Sequence, residues 1–202
     1  MKAIIIGNGE INDYTALKNE VRTECFIICA DGGYRHAKNA EIRPDIIIGD
    51  FDSSSIPKED IEKCVYPSRK DFTDGEICVE YVCSHGFDEL VMFGMTGMRI
   101  DHTLSNMLLL FKHKNSRIID DKNEIYPLTD KLCIKGKKGK TMSVIPVFGN
   151  LIGVVEKGTD YPLDNEDLIF GESRGNSNVI KEDLCEITVK SGKGLVIINN
   201  GE

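Results

Sequence analysis

The chain has 202 residues, 41% hydrophobic and 29% charged, enough for one large domain or two small ones and too apolar for general disorder. Lys and Arg number 25 against 33 Asp and Glu, a formal net charge of −8. This argues against nucleic acid as the main partner but leaves room for a nucleotide held through a divalent metal. The longest apolar runs are a few residues, far short of the ~20 of a membrane span.

In chain order, the opening Met1 to Gly7 reads as a first strand and not a signal peptide. Apolar runs follow at Ala3–Ile6, Cys25–Ala30, Asp45–Ile48, Glu89–Phe93 and Arg117–Ile119. Short continuous runs suit strands buried on both faces, as in a parallel sheet. Between them, Thr73 and Glu76 form a capping box, with Phe72 and Ile77 placed for a hydrophobic staple. The helix behind that box carries Ile77, Cys78, Tyr81 and Val82 and ends at Gly86. Leu104, Met107, Leu108 and Phe111 make one apolar stripe at i, i+3, i+4, i+7. The alternation predicts a doubly wound, mostly parallel α/β domain over residues 1–121.

A change of character follows a linker near Asp120–Asn123. From Lys131 onward no helical stripe occurs. Strand-like runs at Met142–Val147, Leu151–Val155, Leu168–Phe170, Cys185–Val189 and Leu195–Ile198 are separated by glycine turns. Residues 122–202 therefore read as a smaller all-β sandwich or barrel. Cysteines at 25, 29, 64, 78, 83, 133 and 185 are odd in number and lack a C-x-x-C. They point to a reduced cytoplasm, with no disulfide framework or zinc site. His36, His85, His102 and His113 have no metal-ligand spacing.

In open α/β sheets ligands bind beyond the carboxyl ends of the strands, and four clusters fall there. Asp50 and Asp52, in Gly49-Asp50-Phe51-Asp52-Ser53, point the same way if extended and suit Mg²⁺ bridging to phosphate; two solvated turn aspartates would read the same. Asp31-Gly32-Gly33 either turns backbone N–H groups towards an anion or is a tight capped turn. Lys70-Asp71-Phe72-Thr73-Asp74 places a cation and carboxylates at a helix start, and Gly94 to His102 brings Arg99 and Asp101 to another. Gly7-Asn8-Gly9 lacks the third glycine of a dinucleotide fingerprint. No serine-hydrolase elbow, H-E-x-x-H or Walker loop is present. The residues by themselves indicate a Mg²⁺–nucleotide enzyme or binding module with an appended β-domain.

At these positions the sequence resembles the thiamine pyrophosphokinase family. The elements are Ala30-Asp31-Gly32-Gly33, Pro44 to Ser53, Asp71-Phe72-Thr73-Asp74 and Gly94 to Asn106, in the family's order and spacing. Further similar stretches are Ser143 to Pro146, Lys157 to Leu163 and Gly171 to Asn178, so the resemblance covers nearly the whole chain. It implies transfer of diphosphate from ATP to the thiamine hydroxyl, releasing AMP. It implies Asp50, Asp52 and Asp74 as Mg²⁺ ligands and Asp71 as the group orienting or deprotonating the hydroxyl. Asp31, Gly32, Gly33, Lys70, Thr73, Arg99 and Asp101 would line the ATP and phosphate path. Ser173, Ser177 and Asn178 would face the thiamine pyrimidine. A cytoplasmic homodimer is implied, with the α/β half of one chain facing the β-half of the other and no nucleic acid or membrane partner.

Three departures stand out: Met98 where glycine is common, Ile77 where many relatives have lysine, and Val179 after Ser177-Asn178 in a chain without Trp. The alternatives are a pyrophosphokinase of the same architecture acting on another alcohol, such as a pterin, and a non-enzymatic nucleotide-binding module.

Overall fold

The computed structural model describes residues 1–50, 60–67, 71–97 and 99–201. The chain divides into two compact units, Met1–Asp121 and Lys122–Glu202. Among the described residues no helix is long and apolar enough to cross a membrane.

The first unit contains β1 (Lys2–Ile6), α1 (Thr15–Glu20), β2 (Cys25–Ala30), α2 (Tyr34–Asn39), β3 (Ile46–Gly49), β4 (Glu62–Val65), α3 (Asp74–Ser84), β5 (Glu89–Phe93), α4 (Ile100–Leu109) and β6 (Ser116–Ile119). Its strands lie in the order β6-β5-β1-β2-β3-β4. Every pairing is parallel, with Ile4 opposite Ile27 on β2 and Val91 on β5. Ala3, Ile4, Ile5 and Ile6 are all fully buried. Successive side chains point to opposite faces, so both faces of β1 are covered. Ile4 and Ile6 cluster with Leu17 of α1 and Ala37 of α2. The five expected apolar runs all form strands here. Thr73 caps α3, its Oγ1 accepting from Glu76 N at 3.1 Å.

The α4 stripe is not a core stripe. Ile100 is 80% exposed, Leu104 56% and Leu108 37%, while the buried residue of the helix is Leu109.

The second unit holds β7 (Asn123–Leu128), β8 (Lys131–Lys135), β9 (Thr141–Pro146), β10 (Leu151–Lys157), β11 (Glu166–Leu168), β12 (Asn178–Val179), β13 (Leu184–Thr188) and β14 (Gly194–Asn199), without a helix among the described residues. Strands order as β12-β9-β14-β7 and as β11-β10-β13-β8, with antiparallel pairings throughout. One core cluster draws Leu128, Val144, Val196 and Ile198 from the first set and Ile134, Val154, Leu168 and Ile187 from the second. The two sheets therefore share a core, as in a sandwich. The strand expected at Leu168–Phe170 instead ends at Leu168. Beyond it the Phe170 N–H donates to Asn150 Oδ1 at 2.9 Å, and Ile169 and Phe170 are exposed.

Candidate active site

The carboxyl ends of the parallel strands converge on one edge of the first unit. After β1, Gly7 N donates to Phe93 O and Gly9 N to Gly94 O, each at 2.7 Å, so this loop lies directly against the loop after β5. A Cβ at Gly9 would fall 2.1 Å from Thr96 O. Glycine at 9 thus serves loop-to-loop contact. His36, buried under the same loop, bonds Gly9 O through Nε2 at 2.7 Å and the Tyr14 hydroxyl through Nδ1 at 2.8 Å. Burial holds its pKa below the ordinary imidazole range, so the ring is neutral, with Nε2–H donating to Gly9 and Tyr14 donating to Nδ1.

Asp31 follows β2 with φ 41°, left-handed backbone that costs a non-glycine residue roughly 1–3 kcal/mol. Asp50 follows β3, and Asp74 opens α3 in the first helical turn, where a carboxylate suits the macrodipole. Ligand oxygens of Asp31, Asp50 and Asp74 all lie within 4.8 Å of one another, and all three residues are half-buried. Three carboxylates this close repel unless a cation sits among them. An all-oxygen donor set of this size fits a hard divalent ion such as Mg²⁺.

Beside this group opens a cleft of about 580 Å³, lined by Asp31, Thr73, Asp74, Thr96, Arg35 and Arg99 among others. Its far wall is tied together by α4: Asn106 Nδ2 donates to Met95 O at 2.8 Å, and Gly97 N to Thr103 Oγ1 at 3.2 Å. Arg99 is paired with Asp101 at 2.6 Å, which lowers the Asp101 pKa and raises that of Arg99. Both side chains are largely exposed.

The expected site residues are distributed unevenly. Asp31, Asp50 and Asp74 come together, and Thr73 and Arg99 border the cleft. Asp101 reaches it only through Arg99, and Asp71 is exposed outside the lining. Gly32 and Gly33 pack against the loop after β1 and the end of that strand. Added Cβ atoms would meet the Asn8 side chain at 2.6 Å and Ile6 O at 2.0 Å. Asp52, Lys70 and Met98 lie outside the described residues. Asn8, Thr96 and Asn106 also border the cleft; they lie inside the Gly7-Asn8-Gly9 and Gly94 to Asn106 stretches, but no motif gives them a role of their own. Arg35 borders it as well, and nothing local in the sequence marks it.

In the second unit Ser173 and Ser177 are exposed. Ser177 adopts φ 60°, and its N–H donates to Ser143 Oγ at 3.1 Å. Asn178 is buried and saturated within the unit. Its Nδ2 donates to Glu156 Oε2 and Tyr161 O, both at 2.8 Å, and its Oδ1 accepts from Tyr161 N at 3.0 Å and Val179 N at 2.9 Å. A direct bond from this side chain to a ligand would require breaking one of these.

Two family models match the chain in succession. Thiamin pyrophosphokinase, catalytic domain, covers residues 17–119, and Thiamin pyrophosphokinase, vitamin B1 binding domain, covers 125–196. The thiamine pyrophosphokinase of Bacillus subtilis (strain 168) is 29% identical over 211 residues, with 98% of each chain covered. The crystal structure of thiamine pyrophosphokinase from Bacillus subtilis matches with a TM-score of 0.90 at 24% identity, covering 100% of both chains. That of thiamin pyrophosphokinase from Geobacillus thermodenitrificans gives 0.86 at 25% identity, over 100% of this chain and 99% of the other. With the catalytic model alone spanning more than half of the residues and the vitamin B1 model following it, the chain belongs to the thiamin pyrophosphokinase family.

Proposed function

We infer that this chain is a thiamine diphosphokinase. The hydroxyl oxygen of thiamine bonds to the β-phosphorus of ATP, and the bond from that phosphorus to the α,β-bridging oxygen breaks. AMP leaves, and the hydroxyl proton passes to a base or to water. The observation that carries this reading is the succession of the two family models on one chain. The carboxylate cleft of the first unit supports it. Transfer of this kind depends on positioning and charge neutralisation more than on covalent catalysis.

Asp31, Asp50 and Asp74 would hold Mg²⁺, with Asp52 the further ligand that the motif implies. Bound there, the ion would neutralise phosphate charge and orient the triphosphate. Thr73 and Arg99 line the phosphate path, and Asp101 fixes the Arg99 guanidinium. Asp71, three residues before Asp74, receives or orients the hydroxyl proton. Ser173 and Ser177 offer hydroxyls to the vitamin, while the saturated Asn178 holds the loop that presents them.

A homodimer belongs to the same reading, supported by the exposed apolar line Ile100, Leu104 and Leu108 on α4. Seven free thiols fit a reducing cytoplasm. The test is incubation with ATP, Mg²⁺ and thiamine. Equimolar AMP and thiamine diphosphate are expected. Production of ADP, or AMP released only with a pterin alcohol, would overturn the assignment.

A further inference from the structure

Among the described residues two arginines line the cleft, Arg35 and Arg99, and they differ in what neutralises them. Arg99 is committed to the Asp101 carboxylate. Arg35 forms no ion pair among the described residues. Its Nε donates to Asn8 Oδ1 at 2.8 Å, and its Nη2 to Asn8 O at 3.0 Å and Gly9 O at 3.5 Å. All three acceptors are neutral, so they fix the guanidinium without cancelling its charge. They sit on the loop after β1, which is itself locked to the β5 loop through Gly7 and Gly9. The guanidinium is thus a preorganised cation, with the Nη1 edge left over beyond its anchored edge. Holding the loop is a weak reason for such an arrangement: ordering an exposed arginine costs about 1.5–2 kcal/mol of side-chain entropy, and solvent competes for its bonds to neutral acceptors.

We propose that Arg35 binds the polyphosphate chain of the nucleotide in this cleft. The proposal rests on the nucleotide reading above and adds the cation that the charge balance needs. Three carboxylates with one divalent ion remain net negative, and a triphosphate adds more negative charge; a fixed, unneutralised arginine lining the same cleft offsets part of it.

The experiment is calorimetric binding of inorganic tripolyphosphate, and separately of adenosine, to the full chain in Mg²⁺ buffer. Wild type is compared with Arg35→Ala, Arg35→Lys and Arg35→Gln. In Arg35→Gln the side-chain amide can still donate to Asn8 Oδ1, which keeps the loop anchored should the alanine variant misfold. Tripolyphosphate affinity should fall roughly ten-fold or more in Arg35→Ala and Arg35→Gln, as for loss of a charged hydrogen bond. It should fall in Arg35→Lys too, because lysine cannot serve anchor and phosphate together. Adenosine affinity should stay within about two-fold, since a neutral ligand gains nothing from the charge. Unchanged tripolyphosphate affinity, an equal loss for both probes, or a wild type that binds no tripolyphosphate would each overturn the proposal. The diphosphokinase reading fails separately, if wild type binds tripolyphosphate yet forms no thiamine diphosphate.

Discussion

A Cβ on Gly49 would stand 2.8 Å from the Cβ of Asp31 and 2.9 Å from its Cα. The last residue of β3 is therefore kept bare by the residue that follows β2. Asp31 is already in left-handed backbone and cannot retreat without leaving the carboxylate group. In Gly49→Ala the loss of stability should be about 1–3 kcal/mol, as for overpacking elsewhere. The loss of kcat should be larger, on the order of a hundred-fold, because a shift of about 1 Å in a positioned group is enough. Thermal melts and steady-state kinetics on one preparation separate the two effects. A kcat close to wild type would show that Asp31 does not depend on that space.

Asp74→Asn tests the metal assignment without relying on turnover. Removing the Asp74 charge relieves repulsion within the carboxylate group but gives up a favourable charge at the start of α3, so the metal-free chain should stay within about 1 kcal/mol of wild type. Wild type should melt higher as Mg²⁺ is added, since a ligand that binds only the native state stabilises it. Asp74→Asn should lose most of that rise. A Mg²⁺-dependent shift equal to wild type would remove Asp74 from the ligand set.

Much of this architecture was legible because its signals are local. Continuous apolar runs marked β1, β2, β3, β5 and β6, and the Thr73 box marked the start of α3. Family membership followed from motifs in fixed order. What escaped depends on neighbours distant in sequence. The segment forming β4, Glu-Lys-Cys-Val, is an edge strand with half-exposed residues and no apolar run. The two residues of β12 form a strand against β9, where the neighbouring loop is held by the Asn178 side chain. Asp31 joins Asp50 because β2 and β3 are parallel neighbours, a pairing that no spacing within either segment encodes. The outward face of α4 was unreadable for the same reason: its periodicity specifies a stripe, not which side is covered.

That stripe yields a prediction about assembly. If Ile100, Leu104 and Leu108 are covered by a second copy, Leu104→Glu should give a monomer by light scattering at micromolar concentration. Its melting temperature at high dilution should match that of wild type, because an exposed leucine contributes little to the isolated chain. A wild-type chain that is already monomeric would end the homodimer proposal.

His36 predicts a pH dependence of stability. Its native pKa lies below the ordinary value because of burial, with the Arg35 charge adding in the same direction against the Gly9 bond. The unfolded chain takes up a proton near pH 6.5, which the native ring accepts only at lower pH. The contribution is therefore intact above about pH 6.5 and declines as the pH falls, by at most about 1.4 kcal/mol per pH unit. Urea unfolding from pH 8 to 5 should show wild type losing stability more steeply than His36→Gln. Parallel curves would mean that native His36 titrates like a solvated imidazole.

Glu156 predicts the opposite slope. It is 2% exposed, and burial raises its pKa, with the Asn178 amide pulling partly the other way. Its charge also contributes to the rise of the Cys185 thiol, which burial pushes up to about 11. The native state thus holds the Glu156 proton more tightly than the unfolded chain does. Stability from this group is full below the ordinary carboxyl pKa and is lost as the pH rises through the native value. At neutral pH and above, an ionised carboxylate here is a buried charge without a cation among its hydrogen-bond partners, and that is unfavourable. Glutamine can accept the same bond from Asn178 Nδ2 through its carbonyl oxygen while carrying no charge. Glu156→Gln should therefore be more stable than wild type at pH 8, with the difference vanishing as the pH falls below the ordinary carboxyl range. Glu156→Leu should be destabilised by roughly 1–3 kcal/mol across the range, because it leaves a buried amide donor unsatisfied. Denaturant melts at pH 4, 6 and 8 read both. A glutamine variant less stable than wild type at pH 8 would mean that the ionised carboxylate strengthens the Asn178 bond by more than its burial costs.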